Sequence, residues 1–321
     1  MSEEQKINTL SNRNEFLFLY DIKMGNPNGD PDENRPRVLP DNTFFVTDVR
    51  LKRFVRDYLK QTGKDILVDT IEGKTTNLTG RVAHYLQKNN KEFVEGKEIV
   101  SILLDAFIDA RLFGSSFAFK PHDIGEKKKW EPKTVPKTLT GPVQINMGEA
   151  LHRAEEINIH GTTTFGSDDE KSQGTFTDYF GLRYALIGFS GIANEYSAKI
   201  SRLTDSDYDI FLKALWKSVR ESGNTRTKRG QIPHFLLNIK YVQNSEFQFG
   251  RLQDYVKLTP VTQKDEKEWA GPRDYEVDIS VLYEHIEKHA SKIDGVSYEI
   301  SDDCQLKGDI PSGWSKLEID A

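Results

Sequence analysis

Five basic side chains crowd one predicted helix and form the densest set of chemically useful groups in the sequence. They are Arg50, Lys52, Arg53, Arg56 and Lys60. Arg53, Arg56 and Lys60 are spaced three and four residues apart, so they share a helix face. Arg50 begins the same stripe. Guanidinium and ammonium groups on a rigid helix suit the binding of phosphates without base recognition. The alternative is a solvated helix face paired with nearby aspartates.

Histidines and carboxylates are weaker candidates for chemistry. His152 and His160 flank the passage into a predicted hairpin, where one of them could act as a general base for RNA cleavage. His285 and His289 have the i, i+4 spacing of a helical metal pair, but their charged surroundings favour an exposed helix face. The carboxylates of the loop 26–34 do not fit a calcium loop and are interpreted as turn formers.

Sequence motifs for nucleotide hydrolysis, dinucleotide binding, zinc proteolysis and serine hydrolysis are all absent from the 321 residues. The single cysteine, Cys304, excludes an intrachain disulfide and any cysteine-based metal site. We therefore predict no catalytic residue, no metal ion and no cofactor. No apolar stretch is long enough to span a bilayer, and the start of the chain lacks an apolar signal core. We expect a cytoplasmic protein.

The charge is distributed unevenly along the chain. The totals are 44 basic and 50 acidic residues, which give a formal net charge of -6. Residues 264–321 contribute 7 basic and 15 acidic side chains to these totals. Three basic islands lie earlier, at 35–60, 120–137 and 217–240. This distribution favours a polyanionic partner despite the acidic total.

Strands and helices alternate along the chain and must position these groups. Strands are predicted over 15–22, 141–146, 184–192 and 235–242. Helices are predicted over 48–61, 81–88, 98–113, 204–221 and 278–292, the last followed by acidic coil. Thr47 and Thr204 are the expected N-caps of two of these helices. Residues 115–140 show little periodicity and are expected to form an insertion, and 160–181 are expected to form a protruding hairpin.

The strongest of these elements run in the order strand, helix, strand, strand, helix, strand. This is the order of the split βαβ, or ferredoxin-like, fold, which RNA-recognition motifs share. The predicted fold class is therefore α+β, with an RRM-like (ferredoxin-like) core. Because this fold hosts many functions, the order alone does not define one.

Six short motifs, taken together, resemble a known family. They are Asn26-Pro-Asn-Gly-Asp-Pro31, Val46-Thr-Asp-Val-Arg-Leu-Lys-Arg53, Asp109-Ala-Arg-Leu-Phe-Gly114, Thr140-Gly-Pro-Val-Gln144, Leu151-His-Arg153 and Gly230-Gln-Ile-Pro233. This set is similar to the Cas-seven family of backbone subunits of type I CRISPR Cascade. The best fit is the Csh-two group of subtype I-B. The motifs follow the family order over residues 15–245.

The resemblance implies a hand-shaped protein. Its palm would be a single RRM-like domain over 1–321, with large insertions at about 64–100 and 115–140 as fingers and a thumb hairpin at about 159–179. The acidic segment 264–321 would pack on this core or extend from it. Copies would polymerise head-to-tail along the guide RNA (crRNA), forming an open helical filament. Further implied partners are target DNA, paired through the guide, and the other Cascade subunits: a Cas-five-like subunit, large and small subunits and a processing endoribonuclease.

The resemblance also assigns roles to individual residues. Those near the RNA path would be Asn26 and Asn28 in the first loop, Lys52, Arg53 and Arg56 on the phosphate-gripping helix, Arg111, Phe113 and Gly114 in a turn beside the groove, and Gln144 at a strand edge. Arg50 joins them as the start of the basic stripe. Phe165 and Phe176 are candidates for the apolar wedge of the thumb, a choice made from residue type because base stacking tolerates any sequence.

Two other functions stay open from the sequence. One is a metal-dependent or histidine-based endoribonuclease of the RAMP type. The other is a scaffold that contacts only proteins. The resemblance favours neither, because type I backbone subunits bind and hold the guide while separate proteins perform the cleavage.

Overall fold

A computed structural model of the chain describes residues 8–125, 128–162, 176–221 and 228–319. Its strands are β1 (Asn14–Gly25), β2 (Phe45–Val46), β3 (Gly114–Ser116), β4 (His122–Asp123), β5 (Lys129–Trp130), β6 (Thr138–Thr140), β7 (Val143–Ile145), β8 (Gly148–Ala150), β9 (Glu156–Thr162), β10 (Phe176–Ala193), β11 (Gln231–Tyr241), β12 (Lys257–Pro260), β13 (Tyr275–Asp278), β14 (Ile293–Ile300) and β15 (Ser315–Lys316). Its α-helices are α1 (Asp48–Gln61), α2 (Leu78–Lys88), α3 (Gly96–Ala106), α4 (Ile108–Phe113), α5 (Glu195–Ser201), α6 (Asp205–Glu221) and α7 (Ser280–Lys288). Single 3-10 turns occur at Leu252–Tyr255, Glu266–Glu268, Pro272–Asp274 and Ala290–Lys292.

A nine-stranded mixed sheet lies at the centre of this structure, which combines helices and strands. Its strand order is β15-β14-β11-β1-β10-β8-β2, and β7 and β9 also pair with β10. The pairings β10–β8, β10–β9 and β11–β14 are antiparallel, whereas β14 and β15 run parallel. Each predicted strand is confirmed as part of this sheet, as β1, β7, β10 and β11. β1 is buried on both faces because residues 16–20 form an uninterrupted apolar run.

The chain divides into two compact units. The first unit comprises Met1–Asn14, Val55–Gln144 and Ile192–Ala214, and the second comprises Glu15–Phe54, Ile145–Gly191 and Leu215–Ala321. Each unit has an apolar cluster of its own. Leu86, Leu103, Phe107 and Trp130 lie in the cluster of the first unit. Leu237, Trp269, Tyr275 and Leu282 lie in that of the second.

Two helices begin at the threonines that the sequence marks as caps. The backbone N–H of Arg50 donates to Thr47 Oγ1 (3.3 Å), which confirms the predicted start of α1. At the start of α6, Asp207 N donates to Thr204 Oγ1 (3.1 Å) and Thr204 N donates to Asp207 Oδ2 (3.2 Å). This reciprocal pair satisfies two backbone donors at the helix start. Within the described ranges, no helix is both long and apolar enough to cross a membrane.

The single helix predicted over 98–113 is wrong. The structure divides it into α3 and α4 at Phe107, whose backbone is extended (φ −113°, ψ 108°). Phe107 is fully buried, and its ring centroid lies 4.8 Å from that of Tyr85. Helical propensity is continuous across this segment, so core packing accounts for the break better than local sequence does.

The acidic coil predicted after the last helix is also wrong. Residues Ile293–Ile300 form β14, which pairs with β11 from Phe235↔Ile300 to Tyr241↔Ile293. Val296 is buried in the core of the second unit. A charged sequence therefore still completes the sheet, because only part of the strand faces solvent.

The predicted hairpin has paired arms. β9 and β10 are antiparallel from Glu156↔Leu182 to Thr162↔Phe176. The predicted tip of the hairpin, with Phe165, falls on residues outside those described, and the Phe176 side chain is also outside them. The segment 115–140, for which no regular structure was predicted, contributes the short antiparallel pairs β3–β6 and β4–β5.

Candidate nucleic-acid interface

The loop after β1 is held by its own asparagine and aspartate side chains. Asn26 is fully buried, and its Nδ2 donates to the carbonyl of Asn34 (2.6 Å). Asp30 Oδ1 accepts backbone N–H groups from Asp32 (2.9 Å), Glu33 (2.8 Å) and Asn34 (3.1 Å). These hydrogen bonds, led by that from Glu33, lower the pKa of Asp30. The interpretation of Asp30 as a turn former is confirmed, and Asn26 acts as a brace across the loop.

A second asparagine ties this loop to α1. Asn28 Oδ1 accepts from both the backbone N–H and the hydroxyl of Thr47, each at 2.9 Å. Thr47 in turn caps α1. Since Asn28 is 9% exposed, its amide serves this junction and has little surface to offer a ligand. The asparagines therefore fix where the basic residues at the start of the helix lie.

Arg50 and Lys228 lie close together at this junction, and Lys52 and Arg53 follow Arg50 along α1. Arg50 places its guanidinium 4.2 Å from the centroid of the Phe54 ring. Lys52 pairs with Asp48 on the same helix (Nζ–Oδ2 3.0 Å), and Arg53 is half-buried. Lys228 donates from Nζ to the carbonyl of Asn26 (2.5 Å). Lys228 belongs to the basic island at 217–240, but sequence reasoning did not place it among the site residues.

Lys228 has an unusual environment for a lysine. Burial, together with the positive charge of Arg50, lowers its pKa to about 7. Two cationic side chains are thus held close enough to repel each other. A bound anion would relieve that repulsion, which makes the junction of the loop and α1 a candidate phosphate site.

Both arms of the hairpin contact residues at the two ends of the same loop. Arg35 makes a two-pronged contact with Glu156 of β9, Nε–Oε1 2.8 Å and Nη2–Oε2 2.9 Å. Its guanidinium also lies 5.0 Å from the Phe180 ring centroid. Tyr179 donates its hydroxyl hydrogen to the carbonyl of Met24 (2.7 Å). The base of the hairpin and the candidate phosphate site are therefore parts of one framework within the second unit.

Arg56 does not belong to an exposed basic stripe, which corrects the interpretation of Arg53, Arg56 and Lys60 as one surface. Arg56 is 9% exposed, and its Nε lies 2.9 Å from Asp109 Oδ2. Asp109 also accepts from the backbone N–H groups of Leu67 (2.7 Å) and Val68 (3.2 Å). The guanidinium of Arg56 is therefore committed to the core of the first unit.

Arg111 has a similar structural contact. Its guanidinium binds Asp207 through Nε–Oδ2 (2.8 Å) and Nη2–Oδ1 (2.7 Å), and Nη1 donates to the carbonyl of Leu104 (2.7 Å). Asp207 is the residue that closes the cap of α6 with Thr204. Arg111 thus links α4 to the start of α6 within the first unit.

Two family motifs meet in the first unit. Gly114 pairs with Thr140, and a Cβ built on Gly114 would lie 2.0 Å from the carbonyl oxygen of Leu139. Gly141 is equally confined, with its Cβ position 2.1 Å from the carbonyl carbon of Phe113. Phe113 is 9% exposed and lies under Arg56, 5.0 Å from ring centroid to guanidinium. Because neither glycine has a side chain, the backbone at 113–114 can contact the backbone at 139–141. This contact explains why each of the two motifs contains a glycine.

Gln144 follows this contact and differs from its neighbours in being exposed. Its Nε2 donates to the carbonyl of Gly141 (2.7 Å), which holds the exposed side chain in place. Of the motif residues in the first unit, Gln144 has the geometry of a surface contact, whereas Arg56 and Phe113 are core residues.

Replacing Gly114 by alanine tests the contact between the motifs. Gly114 has φ +71°, and the added Cβ would collide with backbone atoms. We expect a loss of about 2 kcal/mol or more in the free energy of unfolding, measured by urea denaturation. Gly63→Ala is the matched control, since Gly63 has φ +84° but open space around it, and should lose only about 1 kcal/mol. Equal losses at the two positions would contradict the close contact.

The two candidate catalytic histidines, His152 and His160, already contact other groups of the protein. His152 is 8% exposed, its Nε2 lies 3.2 Å from the backbone N–H of Leu186, and its Nδ1 lies 3.1 Å from the carbonyl of Arg153. This pattern requires a neutral ring with the proton on Nδ1, and burial lowers the pKa of His152 accordingly. Both ring nitrogens are therefore occupied, which argues against His152 as a general base. His160 is exposed and contacts Asp178.

The exposed face predicted for His285 and His289 is wrong. His285 lies 4.8 Å from the Tyr255 ring and His289 lies 4.7 Å from the Phe247 ring, centroid to centroid. Both are half-buried against these aromatic side chains. Across the described ranges, no group of three or more histidine, cysteine or carboxylate side chains could hold a metal ion.

The fold and the site define a protein of mixed helices and strands with a cationic junction between its first loop and first helix. A sequence profile described as CRISPR-associated protein Cas7 matches residues 12–280, which is most of the chain. The chain therefore belongs to the Cas7 family, as the motif resemblance predicts.

Individual relatives agree with this assignment. A protein of Haloferax volcanii named CRISPR-associated protein Cas7 is 29% identical over 296 residues, covering 89% of this chain and 86% of the relative. A chain from the solved structure "CRISPR RNA-guided surveillance complex, pre-nicking" matches with a TM-score of 0.52 at 13% identity, over 95% of both chains. At this identity the structural match supports a shared fold and nothing finer.

Proposed function

We propose that the chain is a crRNA-binding backbone subunit of a CRISPR surveillance complex, of type I and most closely of subtype I-B. The observation that carries the proposal is the cationic junction of a Cas7-family chain. Arg50 and Lys228 are held together there by a braced loop and a capped helix. Cationic side chains that are already held in position in the free protein are suited to bind phosphate groups, which are present in every RNA sequence.

The residues proposed to contact RNA are the cations of the junction and one exposed amide side chain. Arg50, Lys52, Arg53 and Lys228 would bind phosphates, and Gln144, in the first unit, would contact the RNA with its exposed side chain. Asn26, Asn28, Arg56, Arg111, Phe113 and Gly114 would act as positioning residues, since the structure buries them or occupies their polar groups. Phe165 and Phe176 stay candidates for the wedge of the thumb.

The hand-like organisation is part of the same proposal. The strand order β11-β1-β10, with β7 beside β10, supports an RRM-like palm. Of the four core strands β1, β7, β10 and β11, the first and the third along the chain, β1 and β10, lie in the middle, as in a ferredoxin-like sheet. The finger segments 64–100 and 115–140 fall in the first unit, and the paired arms β9 and β10 form the base of the thumb. Neighbouring copies, target DNA paired to the guide and the other subunits of the complex are the proposed partners.

We infer that the chain binds RNA without cleaving it. The engagement of both ring nitrogens of His152 supports this over a histidine-based ribonuclease. Incubation with end-labelled RNA, with and without Mg²⁺ or Mn²⁺, should leave the RNA intact. Specific products that depend on the protein would favour the endoribonuclease instead.

Equilibrium binding of two unrelated single-stranded RNAs tests the central function. Fluorescence anisotropy should give closely similar affinities for the two sequences, and the affinity should fall steeply as salt rises. A strong preference for one sequence, or binding that salt leaves unchanged, would contradict recognition through phosphates.

Binding should also depend on pH through Lys228. A phosphate beside Lys228 favours its charged form, so binding takes up a proton wherever the lysine of the unbound protein is neutral. With the pKa lowered to about 7, the affinity should be highest below pH 7 and decrease as the pH rises above it. For one linked proton, the loss between about pH 6 and pH 8 is about tenfold.

Lys228→Arg is the matched control for this dependence, because arginine stays charged throughout the range. The variant should bind RNA almost equally at both pH values. If its affinity falls with pH as that of the parent protein does, the titrating group is not Lys228.

A further inference from the structure

A cavity of about 360 Å³ lies beside α7 in the second unit and is not explained by the contacts described above. Its buried lining includes Ile286 of α7 and Val296 of β14. The segment 311–314, which follows β14 along the chain, lines another side. Pockets for small organic ligands measure about 300–1,000 Å³, so this cavity, near the lower end of the range, suits one large side chain.

Two aromatic side chains lie next to each other in the lining. Tyr283 of α7 is 37% exposed, and Trp314 is half-buried. Their ring centroids are 6.2 Å apart and the ring planes meet at 64°, an edge-to-face arrangement. Neither the Tyr283 hydroxyl nor the Trp314 indole N–H has a hydrogen-bond partner among the described residues. The two side chains therefore offer an occupant both an aromatic surface and free polar groups.

Glu287 is the one charged residue among the described residues that line the cavity. It follows Tyr283 by four positions on α7, so the two side chains share a helix face. Glu287 is exposed, and within the described ranges it forms no ion pair. The exposed cations that follow it along the chain, Lys288 and Lys292, do not line the cavity. The cavity thus combines an unpaired carboxylate with two aromatic rings.

This combination favours a flat cation. The arginine guanidinium donates paired hydrogen bonds to a carboxylate and packs on aromatic rings, and the lysine ammonium does each less well. A nucleic acid fits less well, because residues 264–321, which include the whole lining, carry 7 basic and 15 acidic side chains. An extended protein segment also has unpaired backbone carbonyls, which can accept from the Trp314 N–H and the Tyr283 hydroxyl.

We propose that this cavity binds an arginine side chain of an extended segment in a protein partner. The guanidinium pairs with Glu287 and lies against the rings of Tyr283 and Trp314, and a backbone carbonyl of the segment accepts from the Trp314 indole N–H. The site is separate from the cationic junction at α1 and opposite to it in charge. It holds whether or not the chain binds RNA.

Peptide titration of the full chain, followed by nuclear magnetic resonance, tests the site. The probe is acetyl-Pro-Pro-Arg-Pro-Pro-amide, whose prolines keep it extended with its carbonyls free. The matched peptide has citrulline in place of arginine, which keeps the shape and removes the charge. The indole N–H signal of Trp314, one of four tryptophans, is assigned through Trp314→Phe and reports binding.

The arginine peptide should bind with a Kd of about 1 mM or lower, at least about tenfold more tightly than the citrulline peptide. An unchanged Trp314 signal at about 1 mM arginine peptide, or equal affinities for the two peptides, would overturn the proposal.

Two charge-removing variants show whether Glu287 is the partner of the arginine. Glu287→Gln should bind the arginine peptide at least about tenfold more weakly and lose the preference for arginine over citrulline. Glu284→Gln is the matched control, because Glu284 is exposed on the same helix but does not line the cavity. This control should bind both peptides as the parent protein does. Equal losses in the two variants would indicate attraction to an acidic surface only and would overturn the proposal.

Tyr283→Ala tests the aromatic contact. Tyr283 is exposed and alanine favours helix, so the variant should fold. Its affinity for the arginine peptide should fall about three- to fivefold, the contribution of a cation over a ring at an exposed site. Undiminished affinity would overturn the proposed position of the guanidinium.

A short single-stranded RNA, added in place of the peptide, tests the alternative of base stacking on the same rings. The RNA should leave the Trp314 signal unchanged. A shift caused by the RNA and not by the arginine peptide would assign the cavity to a base and overturn the proposal.

Discussion

Replacing Asp109 by alanine should cost about 3–5 kcal/mol of the free energy of unfolding, the largest effect expected of a single substitution in this chain. The carboxylate of Asp109 has a side-chain exposure of 1% and pairs with Arg56, whose side-chain exposure is 10%. Without it, a guanidinium would stay buried with no opposite charge, and the N–H groups of Leu67 and Val68 would lose their acceptor. Urea denaturation, followed by circular dichroism, measures the loss.

Asp105→Ala is the matched control within the same unit. Asp105 pairs with Arg202 at 2.9 Å, but the side chains are 60% and 35% exposed, so solvent screens the interaction. We expect a loss below about 1 kcal/mol. A double variant, Arg56→Met with Asp109→Leu, should recover much of the stability, because it removes both buried charges. Similar losses for Asp109→Ala and Asp105→Ala would contradict the account of Arg56 as a core residue.

Removal of the cations at the start of α1 should weaken RNA binding about 100-fold in about 0.1 M salt. The variant is Arg50→Ala, Lys52→Ala and Arg53→Ala together, with Arg56 retained because it stabilises the first unit. Each phosphate contact to a single strand contributes about 0.7 to the slope of log affinity against log salt. The loss of three contacts should therefore reduce that slope by about 2, equally for unrelated RNA sequences.

The control removes the same charge elsewhere in the second unit. Lys257, Lys288 and Lys292 are exposed lysines, and their joint replacement by alanine should change the affinity and the slope little. If both triple variants lose affinity alike, the effect is one of net charge, and α1 is not the RNA-binding helix.

Local sequence signals predicted the four core strands and the helices α1 and α6, but not the roles of their side chains. Thr47 and the spacing of the apolar residues that follow it are sufficient to predict α1, because helix capping and amphipathicity depend on residues close together in sequence. Arg56 could not be identified as a core residue in this way, since its partner Asp109 lies 53 positions further along. The helix break at Phe107 has the same origin, for it depends on the packing of a buried ring against Tyr85.

The candidate site shows the same division. Asn26 and Asn28 could be predicted as loop residues, but their hydrogen bonds to Asn34 and Thr47 emerge only in the fold. Lys228 was visible as one charge in a basic island, and its burial beside Arg50 was not. The distribution of charge along the sequence indicates the class of partner. Which cations can bind a phosphate depends on the fold, because some of them, such as Arg56, are buried in ion pairs with carboxylates.

The number of protein copies bound to RNAs of increasing length shows whether the chain assembles along RNA. The purified chain is mixed at low salt with single-stranded RNAs that differ in length and sequence, and native mass spectrometry counts the copies in each complex. We expect the number of copies to increase in regular steps with RNA length, whatever the sequence, and the protein without RNA to stay a small species. A single copy at every length, or no RNA bound at all, would contradict a backbone subunit that assembles along its guide.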